Sequence, residues 1–239
     1  MLQSALLQHP RGSCTHGFTT RQDGDLRPGA EGQAAATARL VQALGGTGEL
    51  VTVTQVHGAL VVDAEAAREA MRAGGPLEAD AIISAGKNNH SVIAVRVADC
   101  VPILLAAPNG VAAIHAGWRG SAADITRIAL HALCDATGCR PSDVRAAIGP
   151  CISAAVYEVG QNVIDGLSSV AVNDLWRTVG PTGRDHANLA LLNADILRAA
   201  GASVDVLGLC TVGDERLWSY RRDGEAGGRQ AAAIRWGGG

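Results

Sequence analysis

The chain reads as an α/β protein whose strands are covered on both faces. Three observations carry that reading. β-branched apolar runs alternate with segments of helical period, and three of those runs are apolar almost without interruption. Hydrophobic residues make up 47 % of the sequence against 18 % charged, enough for a sizeable core. At 239 residues one domain spanning 1–239 is expected, since no repeat, low-complexity tract or linker divides the chain. Aromatic residues are only 3 %, so the core must be built from Ala, Val, Leu and Ile, with four Trp as rare large fillers.

Taken in order, "THGFTTRQDGDLRPGAEG" (15–32) reads as a loop from its Gly, Asp and Pro content. A helix is expected over 33–44, closed by Gly45-Gly46. "ELVTVTQVHGALVVDA" is strand on both sides of His57-Gly58, "EAAREAMRAG" a short helix, and "ADAIISAG" strand again. The three continuous runs follow: "SVIAVRVA", "VPILLAAP" and "GVAAIHAG". Pro108-Asn109-Gly110 makes the last two a hairpin. From Ser121, expected as N-cap, the period becomes helical, with Ile125, Ile128, Ala129 and Ala132 on one face and a stop before Gly138. "DVRAAIG" is strand, "PCISAAVYEVGQNVIDGL" half turn and half helix, and "HANLALLNADILRAAG" an amphipathic helix. "SVDVLGLC" and "RQAAAIRW" are the last strands.

A net charge of −3 and the lack of a Lys/Arg block with interleaved aromatics give no support for nucleic-acid binding. The segment "MLQSALLQHPRGSC" has no basic n-region and only a short apolar patch, so neither a signal peptide nor a spanning helix is read and a cytoplasmic protein is expected. In that compartment the six cysteines are expected as thiols.

Three ligand-type residues stand at strand ends beside a glycine or a polar break: His57 in "QVHG", Cys100 in "ADCVP" and His115 in "IHAGWRG". Two imidazoles and a thiolate suit zinc, filling three tetrahedral positions and leaving a fourth for water. The spacing alone is equally that of packed residues satisfied by neighbours, because no two of the three sit close in sequence. His131, Cys134 and Cys139 form a second cluster by composition, read as structural, and His90 and His186 read as surface loop residues.

The ordered motifs "TQVHG", "ADAIIS", "VADCVPILLA", "AAIHAGWRG", "AAIGPCI…YEVG" and "WSYRRDG…GR" resemble those of the YfiH family, also called the multicopper polyphenol oxidase or laccase-domain family, from about Thr15 to Trp236. The resemblance implies a mixed β-sandwich core covered by helices. It implies that His57, Cys100 and His115 bind one zinc, copper being the alternative metal. It implies purine nucleoside phosphorylase activity on small-molecule nucleosides such as adenosine, inosine and guanosine, with methylthioadenosine as a further candidate, inorganic phosphate as cosubstrate and adenosine deaminase activity as a companion. A monomer or homodimer is expected. The chain departs from the family pattern in "TRQDGDLRPGAEG" and at Ala36-Thr37, where relatives carry "TRxGGVS…SLNLG" and an Asn-Arg pair.

Within that reading Asp99 is a candidate proton carrier or holder of a ligand imidazole, or else a strand-end carboxylate capping amides. In "HAGWRGSAADI", Gly117 and Gly120 free a turn, Arg119 offers a forked donor, and the helix from Ser121 points its amides back, which together make an anion pocket. Trp118 is read as a core residue rather than a purine platform. Arg21 matches a family position near the active site. Arg221, beside Tyr220 and Arg222, is expected at the same pocket, with one of the two arginines a salt-bridge former on a strand. Cys151, after Gly-Pro, either lines the site or is inert. The rival readings are a copper phenol oxidase, a Cys100–His115 thiol amidase acting on peptidoglycan precursors, and a non-catalytic metal binder.

Overall fold

In the computed structural model, which describes residues 1–8, 14–86 and 91–237, period-two side-chain alternation builds two facing sheets. The larger has the order β11 (Ser203–Val206), β8 (Arg145–Ile148), β6 (Val101–Ala107), β7 (Gly110–Ala116), β4 (Ala81–Ala85), β3 (Val61–Asp63). The smaller runs β1 (Cys14–Phe18), β12 (Gln230–Trp236), β5 (Val92–Val97), β2 (Leu50–Val51). Both mix parallel and antiparallel pairs. A separate ribbon pairs β9 (Arg177–Val179) with β10 (Asp185–Ala187).

On β6, Leu104 and Ala106 face the smaller sheet, meeting Val95, Ile234 and Phe18, while Ile103, Leu105 and Ala107 face helices. Those helices are α4 (Ile125–Thr137), α5 (Gln161–Ser168) and α6 (Leu189–Ala199). On the far side, α1 (Gln33–Ala43) lays Ala36, Leu40 and Val41 over Val92, Ala94, Ala231 and Ala233. The result is four layers, helix, sheet, sheet, helix, in which every residue of β6 and β7 is buried. The interior is rich in alanine, which lets the layers approach closely. α2 (Ala64–Arg72) closes one edge with Ala64 and Ala67, and Asp63 caps it by accepting from the Glu65 amide. The fold class read from the sequence, α/β with a mixed sandwich core under helices, is the one observed. Among the described residues no helix is long and apolar enough to cross a membrane.

The hairpin forms as expected, Ala107 pairing with Gly110 across Pro108-Asn109. Other elements differ. The stretch read as a loop begins with strand β1, which pairs with β12 and buries Phe18 so tightly against Gly149 that a Cβ there would lie 2.2 Å from the ring. Tertiary pairing supplies what local propensity lacks. Ser121 is no N-cap: it lies inside α3 (Trp118–Ala122), fully buried, its Oγ accepting from Asn193 Nδ2 of α6. α4 starts four residues later, after Asp124 at φ 60°, so its buried stripe runs through Leu130 and Leu133 and leaves Ile128 exposed. The Tyr220–Asp223 stretch is a short helix, α7, capped by Ser219, not a strand. His186 is buried in β10, its Nδ1 donating to the Ala154 carbonyl at 2.5 Å. His90 lies outside the described residues.

His16, within β1, is 1 % exposed, and its Nε2 accepts from the Ser4 amide at 2.9 Å, while Ser4 Oγ donates to Asp205 at 2.6 Å. Burial pulls the imidazole down to about 4, because the cation would lose its hydration and the acceptor nitrogen its lone pair. The unfolded chain therefore binds the proton more readily, and stability falls as pH drops from the ordinary histidine range towards 4. Chemical denaturation of wild type and His16→Gln across that interval is expected to show about 3 kcal/mol lost by wild type alone; parallel curves for the two would refute it.

Candidate metal centre and its cavity

The site is assembled around one carboxylate. Asp80 immediately precedes β4 and is fully buried. Its Oδ1 accepts from His115 Nδ1 at 2.7 Å and from the His57 amide at 3.0 Å, and its Oδ2 accepts from the Gly58 amide at 2.6 Å. Its backbone carbonyl accepts from the His115 amide at 2.8 Å. Burial pushes this carboxyl up, but the donors from His115, Gly58 and His57 outweigh it and hold the group below its usual range. With Nδ1 held by Asp80, His115 turns its Nε2 towards the site.

His57 stands in the loop between β2 and β3 at φ 61°, and Asp99, just before Cys100, at φ 89°. These left-handed conformations cost about 1 to 3 kcal/mol each in a non-glycine residue and persist because hydrogen bonds clamp both loops. The Asp99 carbonyl accepts from the Ile152 amide at 2.9 Å. The Asp99 carboxylate accepts from Thr211 Oγ1 at 2.5 Å and from the Arg221 amide at 2.6 Å. It touches neither imidazole, so the imidazole holder is Asp80 and Asp99 caps amides.

The ligand atoms of His57, Cys100 and His115 lie within 4.8 Å of one another, and among the described residues this is the one such group found. The two imidazole rings meet edge to face, centroids 4.8 Å apart. Gly117 permits the approach: a Cβ there would lie 3.0 Å from His57 Cδ2 and 3.1 Å from Cys100 Sγ. Gly120 likewise admits the Gly58 carbonyl, 2.9 Å from where its Cβ would stand. The two glycines therefore serve close packing. Burial pushes the Cys100 thiol up, but hydrogen bonds and charge from His115 and His57 outweigh that and bring it to about 6. Burial pulls His115 down, yet Asp80 and Cys100 lift it to about 9.

The three residues open on a cavity of about 820 Å³. Asp99 and Arg221 line it; Arg21, Arg119 and Cys151 do not. Arg21 is tied to Asp223 and the Leu217 carbonyl and stacks on Trp218 at 4.2 Å. Arg119 lies exposed over the Trp118 ring at 4.4 Å, and Trp118 is half-buried against the helical core. Cys151 is buried, its thiol pushed up to about 12 by burial and the negative groups around it. Of the adjacent arginines, Arg222 is the salt-bridge former, pairing with Asp223. Cys134 and Cys139 hold their sulfurs 3.5 Å apart, and burial with its neighbour pushes Cys134 up to about 12; His131 is exposed.

The wall also carries residues not singled out from the sequence, among them Gln55, Arg96, Tyr157 and Arg229. Burial, helped by the charge of Cys100, lifts the Tyr157 phenol to about 12, which keeps its hydroxyl protonated at neutral pH. Asp80 and Arg96 had one available signal: each is a charge in an otherwise apolar run, Asp80 at the head of β4 and Arg96 within β5.

The family model of the multi-copper polyphenol oxidoreductase laccases matches residues 15–237. The chain belongs to this family. It is 34 % identical, over 96 % of its own length and 92 % of the relative's, to a purine nucleoside phosphorylase of Deinococcus radiodurans. Its fold is similar to the crystal structure of YlmD from Geobacillus stearothermophilus, with a TM-score of 0.83, 26 % identity and 98 % of each chain covered. A Neisseria meningitidis protein of known structure superposes with a TM-score of 0.79 at 30 % identity over 95 % of both chains.

Asp80→Asn turns an amide donor towards the His57, Gly58 and His115 donors, and is expected to lower stability by about 3 kcal/mol in chemical denaturation with chelator present. A loss under about 0.5 kcal/mol, within the range of ordinary surface changes, would remove Asp80 from the centre of the site.

Proposed function

We propose that the protein is a zinc-dependent purine nucleoside phosphorylase, with deamination of adenosine as a companion activity. The observation that carries the reading is a low-pKa thiolate and two imidazoles converging on the wall of a cavity sized for a nucleoside. The names of the relatives agree with it.

The donors fit zinc. Two imidazoles and a thiolate leave one position facing the cavity, and Asp80 orients His115 as an outer partner does in metal sites. A multicopper centre needs more imidazoles than the described residues bring to the site. Among the described residues His16 is bound to the Ser4 amide, His186 to the Ala154 carbonyl, and His131 lies out on α4. Zinc held by His57, Cys100 and His115 would supply Lewis acidity and a bound water acidified towards a pKa of about 7.

In phosphorolysis a phosphate oxygen forms a bond to the ribose anomeric carbon as the bond from that carbon to the purine nitrogen breaks. The electron pair of the broken bond passes to the purine, which takes a proton and leaves as free base, with ribose 1-phosphate as the other product. Tyr157 offers the cavity a phenol that stays protonated at neutral pH, and Arg221 lies 5.6 Å from its ring. In deamination water adds at the amino-bearing carbon and ammonia departs.

A second reading rests on the opposite shifts of Cys100 and His115, to about 6 and about 9, which describe a thiolate–imidazolium pair able to attack an amide carbonyl. Incubation with inosine or adenosine, with and without phosphate, separates the two. Release of base and ribose 1-phosphate only when phosphate is present is expected, with zinc near one per chain. Cys100→Ala is expected to lose the metal and about 100-fold or more of kcat/KM. No base release, combined with cleavage of an amide substrate, would replace this reading by the second.

A further inference from the structure

We propose that Arg96 and Arg229, with Arg221, form a phosphoryl-binding subsite in the same cavity. The placement follows from the sheet. β12 runs antiparallel to β5 with Ala231 opposite Arg96 and Gln230 opposite Val97. Arg229, two residues before Ala231, thus leaves the chain on the same face as Arg96 and diagonal to it, a relation that long side chains bridge. Both line the cavity, as does Arg221.

Their state of pairing sets them apart from the fourth arginine on the cavity wall, Arg27, which holds the Asp25 carboxylate. Among the described residues Arg96, Arg221 and Arg229 stand in no ion pair. The Arg96 backbone is clamped by Gln55 through bonds of 2.7 and 2.8 Å, and its guanidinium donates to Thr52 Oγ1 at 2.5 Å. Burial lowers its pKa with nothing opposing it. Arg229 spends one nitrogen on the Gly227 and Gly228 carbonyls, each at 3.0 Å. Among the described residues the one carboxylate on the cavity wall, Asp99, is engaged by Thr211 and by the Arg221 amide. A half-buried guanidinium without a counter-charge is unfavourable until an anion arrives, and two forks, one on β5 and one just before β12, match the oxygens of a tetrahedral dianion.

The chemistry is that of a phosphoryl dianion, supplied either by inorganic phosphate or by the 5′-phosphate of a nucleotide. Only the first of these rests on the phosphorolysis reading. The experiment measures binding of inorganic phosphate and of inosine 5′-monophosphate to the metal-loaded protein by calorimetry, beside steady-state kinetics with inosine. Arg229→Gln and Arg96→Lys, the latter keeping the charge and removing the fork, are expected to weaken binding of the phosphoryl ligand by about tenfold or more. KM for inosine should stay within about twofold. Arg140→Gln, on the outer surface, should change neither.

Should phosphate bind alone and KM for phosphate rise in both variants, the occupant is inorganic phosphate. Should only the nucleotide bind, with the same dependence on the two arginines, the occupant is a nucleotide's phosphate. If wild type shows arginine-dependent phosphoryl binding but releases no base, the subsite stands and phosphorolysis falls. If neither ligand binds wild type, or if both variants bind as wild type does, the subsite is overturned.

Discussion

A buried carboxylate is unfavourable unless its oxygens are occupied, and the whole site hangs on how Asp80 meets that demand. It draws donors from two places far apart in sequence: the His115 imidazole on β7 and the amides of the His57-Gly58 loop. One charge therefore sets the tautomer of one imidazole and the position of the other. The loop that carries His57 has little packing of its own, with Val56 and Leu60 exposed on either side. The Asp80 clamp is what holds the amides of this left-handed histidine and of Gly58.

The layers around the site translate composition into geometry. With almost no large aromatics, the two sheets and their helices are held apart chiefly by Ala, Val, Leu and Ile, so backbones come close and glycine contacts become decisive. Gly117 and Gly120 bring the turn after β7 against Cys100, His57 and Gly58 at distances no larger residue permits. At the ends of β5 and β12, Arg96 and Arg229 line the cavity, Arg96 with its guanidinium also on Thr52. Metal-type donors on one wall and unpaired guanidinium groups on another give the hollow two chemical ends.

The thiolate of Cys100 is stabilised by two imidazoles, and its charge in turn helps keep the Tyr157 phenol protonated. The cavity wall thus carries a metal-binding anion, a neutral proton donor and arginines that stand in no ion pair among the described residues.

What the sequence determined by itself was whatever a local period or an ordered set of motifs can carry. β5, β6 and β7 were legible because burial on both faces writes continuous apolar runs, and His57, Cys100 and His115 because polar atoms at the rims of such runs are conspicuous. The tertiary structure alone decided the partners. Asp80 rather than Asp99 holds the imidazole, since that depends on which acid lies across the sheet from His115. Arg96 and Arg229 rather than Arg21 and Arg119 face the hollow, since that depends on strand pairing. The strand at Cys14–Phe18, the delayed start of α4 and the buried His186 were missed for the same reason: each is stabilised by contacts with segments distant in sequence, and such contacts leave no local pattern.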